Sequence, residues 1–360
     1  MLGALGRRET IARLLDRAGA VEAILRVRAR VRAPVLTVLT YHHIAEPPDD
    51  YRFDPDVADA TPKQFRGHCQ LLADHFTVID IDHTCDALAG KRSLPPNPAL
   101  ITFDDGYLSC RDVAVPILQD FGFSAVFFIP TRFVEERRLF WWERIAYLVR
   151  GSRRAALALA YPRPLTLDLA DRRAAAGTLL RIVKDTTGLD IPRFLDELTA
   201  AAEVPWTAAL ERTLTDGLLM TWPDIRTLRD AGMDIQSHSR QHRVLQTLDA
   251  AALDDELAGS KADLERALGG ARVRTIAYPV GKSIAAAPEV RAAVARAGYD
   301  CGFSNANGVN YLLPSYFPSA RRIDPLDLHR IAIDRDMSAA MFRSQLAVPA
   351  MAYSSSRNSP

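Results

Sequence analysis

The sequence ITFDDGY at Ile101–Tyr107 indicates the fold most directly, because an apolar strand pattern ends there in two carboxylates and a glycine. Side chains that follow one another on a strand point to opposite faces, so Asp104 and Asp105 can take different tasks at the strand's exit. Gly106 permits the sharp turn that such an exit needs. The structural alternative is a carboxylate pair that caps the following helix.

Short apolar runs of this kind alternate with helical patterns along most of the chain, which predicts βαβ units and a parallel sheet. Eight such strands fit a distorted eight-stranded α/β barrel, and an open doubly wound sheet is the alternative. The predicted strands are Val35–Tyr41, Thr77–Ile81, Ala99–Phe103, Ser124–Ile129, Asp234–Ser237, Thr275–Tyr278, Tyr299–Phe303 and Arg330–Ile333.

The alternation of strands and helices is interrupted once, from about residue 135 to residue 219, where Ala, Leu and Arg recur at helical spacing. We therefore expect an N-terminal helical extension at residues 1–33 and a barrel at 34–348 that carries this helical insertion. Residues 349–360 are polar and are expected to form a disordered tail. Capping-box patterns at Thr61–Gln64 and Thr221–Asp224 predict two helix starts.

The overall composition is that of an ordinary globular protein, with 25% charged residues, 48% hydrophobic residues and a net charge of +1, so we expect no nucleic-acid partner. Through Ala33, however, eight arginines face three acidic residues. Between these arginines an apolar stripe recurs at helical spacing. It predicts either a helix lying peripherally on a membrane surface or, as we favour, a helix packed on the domain. The stripe comprises Ile11, Leu14, Leu15, Ala18, Val21 and Leu25.

Neither a membrane span nor an export signal is visible in the sequence. No run approaches the roughly 18 apolar residues of a membrane span. The first 33 residues also lack the roughly 7–15-residue apolar stretch of a secretory signal. We therefore expect a cytoplasmic location, with peripheral contact at the inner membrane face as a further option.

The sequence SHSRQH at Ser237–His242 places two histidines at the end of another predicted strand. His238 and His242 have the i, i+4 spacing that puts two side chains on one face of a helical turn, where they can bind one metal ion. Strand ends converge at the C-terminal face of a barrel, even from distant parts of the chain. Two histidines and Asp105 would leave coordination positions open, as in a catalytic site.

A metal at this position would lower the pKa of a bound water and polarise a carbonyl group. Asp104 would then be placed to accept the proton of that water. The pattern therefore predicts hydrolysis of a carbonyl compound without a covalent enzyme intermediate. A third segment, IAYPVG at Ile276–Gly281, ends a further strand at the same face. Its proline and glycine could shape a wall and expose a backbone N–H, or form an ordinary strand-to-loop turn.

These three segments, in this order, resemble the motifs of the polysaccharide deacetylase (NodB-like) family, also called carbohydrate esterase family four. The likeness extends from about Leu36 to Phe342, without the insertion. It implies a distorted (β/α) barrel, a divalent metal that is commonly Zn²⁺, and deacetylation of N-acetylated glycans. By position it makes Asp104 the general base. The implied metal ligands are Asp105, His238 and His242, and the implied substrate and oxyanion contacts are Tyr278, Pro279 and the backbone N–H of Val280.

The sequence departs from the family pattern in two places. Many members have an arginine, paired with the base, at the position of Ala277, and Arg330 could supply that charge through space. Many members also have a late Leu-x-His-Asp segment that provides the general acid, which is not found here. A subgroup that looks circularly permuted places this histidine after the first strand in a Tyr-His pair. Tyr41-His42 matches that pair, so His42 is the expected general acid, with His43 as second choice.

Several functions remain open from the sequence. Metal, base and acid would serve an O-acetyl esterase or another amide hydrolase as well as an N-deacetylase. A catalytically inactive carbohydrate-binding member should have lost a ligand or the base, and here all four positions are filled. Phe140-Trp141-Trp142 could stack on a sugar or pack the insertion against the barrel. Without an export signal, a nucleotide- or lipid-linked sugar precursor is a further candidate substrate.

Overall fold

The computed structural model describes residues 2–31, 35–312 and 323–348 of the chain, so the predicted tail at residues 349–360 lies outside the described residues. The strands are β1 Val35–Tyr41, β2 His43–Ile44, β3 Ala58–Ala60, β4 Thr77–Val78, β5 Pro98–Phe103, β6 Val126–Ile129, β7 Ala156–Leu159, β8 Leu165–Asp168, β9 Asp234–Ser237, β10 Thr275–Ala277, β11 Cys301–Asn307, β12 Asn310–Tyr311 and β13 Leu328–Ala332.

Helices surround these strands, and several begin or end at short irregular turns. The α-helices are α1 Leu2–Arg17, α2 Ala20–Arg30, α3 Pro62–His75, α4 Ile81–Leu88, α5 Val115–Asp120, α6 Thr131–Glu136, α7 Trp141–Gly151, α8 Arg172–Asp185, α9 Ile191–Ala202, α10 Ala208–Asp216, α11 Trp222–Asp230, α12 Ala250–Asp254, α13 Ser260–Ala267, α14 Pro288–Arg296 and α15 Ala339–Ala347. Both predicted capping boxes are present, at Thr61 with Gln64 and at Thr221 with Asp224.

Seven parallel strands close into a barrel in the order β1, β5, β6, β9, β10, β11 and β13. Strand β1 closes the ring because it pairs with β5 on one side and with β13 on the other. The predicted distorted (β/α) barrel is confirmed, and the open doubly wound sheet is excluded. The prediction that an eighth strand belongs to the barrel is wrong. Thr77–Val78 pairs only with the first residues of β5, and Ile81 already begins α4, so this segment does not join the ring.

Alternation along each barrel strand divides the core into an inner and an outer layer. Leu36 and Val38 of β1, with Leu100 of β5, belong to one cluster of buried side chains. Leu39 and Ile101, one step along the same strands, belong to the other. Because successive side chains point to opposite faces, the first cluster lies inside the barrel and the second lies between barrel and helices.

The segment between β6 and β9 contains α6 to α11 and a two-stranded antiparallel hairpin, β7–β8. The hairpin was not expected, because its first strand reads Ala-Leu-Ala-Leu, a composition that favours helices. Its residues nevertheless alternate between exposed and buried, as a strand with one packed face requires. The division of the chain into an extension, a barrel and an insertion stays a prediction.

The N-terminal residues form two helices instead of one, because the chain breaks at Gly19, which has a φ of 74°. This break splits the predicted apolar stripe. Val21 and Leu25 are buried, whereas Ile11 and Leu14 are exposed. Both helices pack against α15. No helix in the described ranges is long and apolar enough to cross a membrane.

Candidate metal and catalytic site

The two adjacent carboxylates leave the end of β5 in different directions because the backbone turns sharply after Asp104. The N–H of Asp104 still donates to the carbonyl of Tyr41, at 2.8 Å, which extends the barrel pairing by one residue. Asp105 and Gly106 then adopt left-handed conformations, with φ values of 73° and 79°. Aspartate tolerates this region better than most residues, and glycine adopts it without a steric cost. The expected division of tasks between Asp104 and Asp105 is therefore geometrically available.

The loop after β9 carries both histidines but does not form the expected helical turn. Ser239 and His242 have positive φ values of 63° and 52°, so the backbone reverses twice within this loop. The buried carboxylate of Glu256 holds the loop, because it accepts hydrogen bonds from the N–H groups of Arg240 at 2.9 Å and Gln241 at 2.8 Å. Sequence reasoning missed Glu256, which lies in an ordinary helical pattern with no local signal.

Asp105, His238 and His242 nevertheless converge on one point. Oδ1 of Asp105 lies 3.4 Å from Nε2 of His238 and 3.4 Å from Nε2 of His242. The three candidate ligand atoms lie within 4.8 Å of one another. Nδ1 of His238 donates to the carbonyl of Ala277 at 2.8 Å, so Nε2 is the ring nitrogen that faces the other two groups.

The chemistry of this cluster fits a divalent cation. Oδ1 of Asp105 is buried and accepts no hydrogen bond from the described residues, although an unpaired buried carboxylate oxygen is costly. Burial lowers the pKa of His242 to about 3, against the opposing effect of Asp105, so this imidazole is neutral, as coordination requires. One carboxylate oxygen together with two imidazole nitrogens is a suitable ligand set for a transition metal.

Asp104 points into the barrel, where Arg330 of β13 meets it. The guanidinium donates to both carboxylate oxygens, at 2.8 Å and 2.7 Å, and both residues are at most 1% exposed. Burial by itself would raise the pKa of Asp104. The charge and hydrogen bonds of Arg330, with His238 and His42 nearby, instead hold that pKa well below its usual range. Arg330 therefore lies beside Asp104 and can supply the positive charge that Ala277 does not.

His42 lies on the other side of Asp104, with its Nε2 4.0 Å from Oδ2 of that residue. Its Nδ1 is 2.9 Å from the carboxylate of Asp59, on β3, a partner that sequence reasoning missed. Burial lowers the pKa of His42, but Asp59 outweighs it and raises the value to about 9. His43 instead contacts Ser109, at 2.7 Å, and burial lowers its pKa to about 4.

The residues of the third motif, Ile276–Gly281, are buried except for Val280, which is partly exposed. The ring of Tyr278 is buried, and its hydroxyl donates to the carbonyl of Leu326 at 2.5 Å. Pro279 is buried as well. Val280 has a φ of 61° and a ψ of −1°, a strained conformation for a β-branched residue. Such strain is typical of functional sites rather than of ordinary turns. The predicted contacts of this segment with the substrate stay predictions.

The aromatic run at the start of α7 packs behind the histidine loop. The ring of Trp142 lies 4.5 Å from that of His242, and the indole N–H of Trp141 donates to the carbonyl of His242 at 3.3 Å. Trp142 also donates to the hydroxyl of Tyr107, which in turn donates to the fully buried Glu143, at 2.8 Å and 2.7 Å. These aromatic side chains therefore pack the insertion against the barrel and offer little exposed surface for stacking on a sugar.

Comparisons with known proteins agree with this architecture. The structure resembles the Streptococcus pyogenes deacetylase PplD solved with acetate, at 17% identity over 89% of this chain and 100% of that one, with a TM-score of 0.55. It also resembles IcaB from Ammonifex degensii, at 17% identity over 87% and 96% of the two chains and a TM-score of 0.51. A polysaccharide deacetylase from Bacillus cereus matches at 17% identity over 87% and 69%, with a TM-score of 0.52.

At these identities the structural likeness shows a shared fold, and a search of curated protein sequences found no match. The family itself follows from the sequence. The family model described as polysaccharide deacetylase matches residues 91–302, a range that includes Asp104, Asp105 and both histidines of the cluster. The chain belongs to the polysaccharide deacetylase family and is a hydrolase of that family.

Proposed function

We propose that the chain is a metal-dependent deacetylase that removes N-acetyl groups from a glycan or glycan precursor of the N-acetylhexosamine type. The observation that carries this proposal is the convergence of Asp105, His238 and His242 on one point, beside a second carboxylate with a different environment. Amide hydrolysis needs both an activated water and a proton for the departing nitrogen. The groups around the cluster can supply each of these needs.

Asp105, His238 and His242 would hold the cation, and two imidazoles with one carboxylate favour Zn²⁺. When bound there, a divalent cation would polarise the acetyl carbonyl and lower the pKa of a water molecule. The protein fixes the ligand atoms in advance. His238 is oriented by the carbonyl of Ala277, and the loop that carries His242 is held by Glu256.

Asp104 would accept the proton of the attacking water as the water oxygen bonds to the acetyl carbon. Its Oδ2 lies 3.8 Å from Nε2 of His238, so the base stands directly beside the ligand atoms. Arg330 keeps the carboxylate ionised and fixes both of its oxygens through two parallel hydrogen bonds. A base that is charged and immobile needs no reorganisation when the proton moves.

His42 would donate a proton to the nitrogen as the carbon–nitrogen bond breaks, so that acetate and an amine are released. Asp59 binds Nδ1 of His42 and leaves Nε2 facing Asp104 and the reaction site. With a pKa of about 9, this imidazole is protonated at neutral pH. The assignment of His42, and with it the circularly permuted arrangement, is part of the proposal.

An O-acetyl esterase of the same mechanism is the alternative. An amine is a poor leaving group unless it is protonated, whereas an alkoxide departs more readily. His42→Ala should therefore slow N-deacetylation about 100-fold or more and slow O-deacetylation less. The proposal predicts that the unmodified enzyme releases acetate from N-acetylglucosamine oligomers faster than from O-acetylated glycans. Faster release from the esters would favour the alternative.

The adjacent carboxylates provide a matched test of the mechanism. Asp104→Asn and Asp105→Asn change one charge each, at neighbouring positions, without a change of side-chain shape. Asp104→Asn should keep the metal and lose most turnover, whereas Asp105→Asn should lose the metal. Metal content would be measured on the purified proteins and acetate release in the same samples. Substantial turnover by Asp104→Asn, or full metal content in Asp105→Asn, would refute these roles.

A further inference from the structure

The N-terminal helices α1 and α2 carry most of the large apolar side chains that the described residues expose to solvent. Leu14 is 60% exposed and Val27 is 61% exposed, and both lie on surfaces that no described residue covers. Exposed apolar side chains are unremarkable when scattered singly, but a group of them on two helices that pack together indicates a binding surface. The group comprises Ile11, Leu14, Ile24, Val27 and Val31, and the remaining large exposed hydrophobic residue is Tyr311.

These exposed residues follow a repeat that the two helices share. Along each helix and the residue that follows it, apolar residues occur at positions i, i+3 and i+7, and arginines occur at i+2 and i+6. At 3.6 residues per turn, the three apolar positions fall on one face and the two arginines fall together along one side of it. The two copies are 13 residues apart: Ile11, Arg13, Leu14, Arg17 and Ala18 in the first, and Ile24, Arg26, Val27, Arg30 and Val31 in the second.

The opposite face of the helix pair fixes this surface to the barrel. Ala12, Val21 and Leu25 are buried, and both helices pack against α15. Arg343 of α15 forms ion pairs with Asp16 and Glu22, at 2.8 Å each. Asp16 and Glu22 are thus paired with α15, and arginines predominate on the exposed face.

The arginines on the outer side outnumber the acids that accompany them. Six are exposed, and the acids near them, Glu9 and Glu22, are each less than a third exposed. They form ion pairs with Arg13 and Arg26, one turn along the same helix. The exposed arginines are Arg7, Arg8, Arg13, Arg17, Arg26 and Arg30.

We propose that this α1–α2 face binds the surface of an anionic lipid bilayer. Aliphatic side chains on one face, bordered by arginines, suit the boundary between lipid headgroups and acyl chains. The guanidinium groups can form charge-assisted hydrogen bonds with lipid phosphates. A second copy of the chain is a poorer occupant, because two such faces would bring arginines against arginines. The proposal does not depend on the deacetylase activity.

The test uses the full chain and sedimentation with vesicles. One set contains phosphatidylcholine alone, and the other contains phosphatidylcholine mixed with phosphatidylglycerol. Each arginine near an anionic surface contributes about fivefold in affinity, so Arg17→Gln/Arg30→Gln should weaken binding to the anionic vesicles roughly 25-fold. Leu14→Ser/Val27→Ser should weaken it about tenfold or more, because it removes the aliphatic groups that enter the bilayer.

Arg153→Gln/Arg163→Gln is the matched control, since it removes the same charge from exposed positions outside α1 and α2. It should bind like the unmodified chain. All variants should keep the thermal unfolding transition and the activity on soluble substrates, because the substituted side chains are exposed. Absence of binding to anionic vesicles, or equal weakening in the control pair, would overturn the proposal. A dimer that becomes monomeric in Leu14→Ser/Val27→Ser would assign the face to a second copy instead.

Discussion

Replacement of Arg330 by methionine tests whether its guanidinium stabilises the ionised carboxylate of Asp104 inside the barrel. The guanidinium makes two short hydrogen bonds with Asp104 and approaches the ring of Phe128 at 5.8 Å. Methionine keeps most of the side-chain length but removes every donor and the charge. Asp104 would then stay buried without its main counter-charge. Loss of one partner of a buried ion pair costs about 3–5 kcal/mol, and we expect Arg330→Met to lower the free energy of unfolding by that amount.

Arg291→Met is the matched control, because the chain offers a second bidentate arginine–aspartate pair at the surface. Arg291 and Asp324 are also joined through both oxygens, but their side chains are 41% and 31% exposed. An exposed pair contributes only about 0–1 kcal/mol, since water solvates the separated charges and salt screens them. Urea unfolding at neutral pH, followed by circular dichroism and fluorescence together, would measure both variants.

The double variant Arg330→Met/Asp104→Asn separates the charge effect from lost packing. It removes both partners, so most of the penalty of the single substitution should disappear. Arg330→Met should also keep the metal while turnover falls about 100-fold or more, because the base loses its fixed orientation. If Arg330→Met destabilises the protein no more than Arg291→Met does, Arg330 does not compensate the buried charge of Asp104.

Three further predictions concern the groups around the site. Asp59→Asn should move the alkaline limb of the pH profile of kcat/KM to lower pH. Asp59 raises the pKa of His42 to about 9, and a general acid works only when it is protonated. An unchanged alkaline limb would show that His42 is not the general acid. Glu256→Ala should weaken metal binding about 10–100-fold, measured against a competing chelator, because it frees the loop that carries His242; unaltered affinity would contradict this. Removal of metal by a chelator should abolish acetate release and Zn²⁺ should restore it, whereas activity that persists without metal would exclude the proposed mechanism.

The barrel could be predicted from the sequence because its signals are local. Apolar runs, capping boxes and glycine-rich strand exits each depend on a few neighbouring residues, and most predicted strands lie within two residues of their observed bounds. The number of strands in the ring was harder to predict from the sequence. Thr77–Val78 has the composition of a strand, but membership in the barrel depends on pairing with a strand on each side, and this segment pairs only with β5.

In the histidine loop, the convergence of the two side chains was predicted from the sequence, but the backbone geometry that produces it was not. The spacing of His238 and His242 predicted a shared metal through a helical turn. The observed loop reaches the same convergence through two left-handed residues, Ser239 and His242. The hydrogen bonds that stabilise this backbone come from Glu256, which lies more than ten residues away. Hydrogen bonds between residues so far apart in the chain produce no periodic pattern in the sequence, so they could not be predicted from it.

Arg330 and Ala277 together explain how the barrel keeps a charge beside Asp104 without the usual arginine of the third motif. Ala277 belongs to the cluster of side chains inside the barrel, on β10. Leu328 of β13 belongs to the same cluster, so the alternation of side chains directs Arg330, two residues on, into the same interior. Ala277 presents only a methyl group in this interior, and the guanidinium that binds Asp104 comes from another strand. The buried carboxylate of Asp104 requires a positively charged side chain beside it. Several strands could carry that side chain, because the C-terminal ends of the barrel strands converge on the same region.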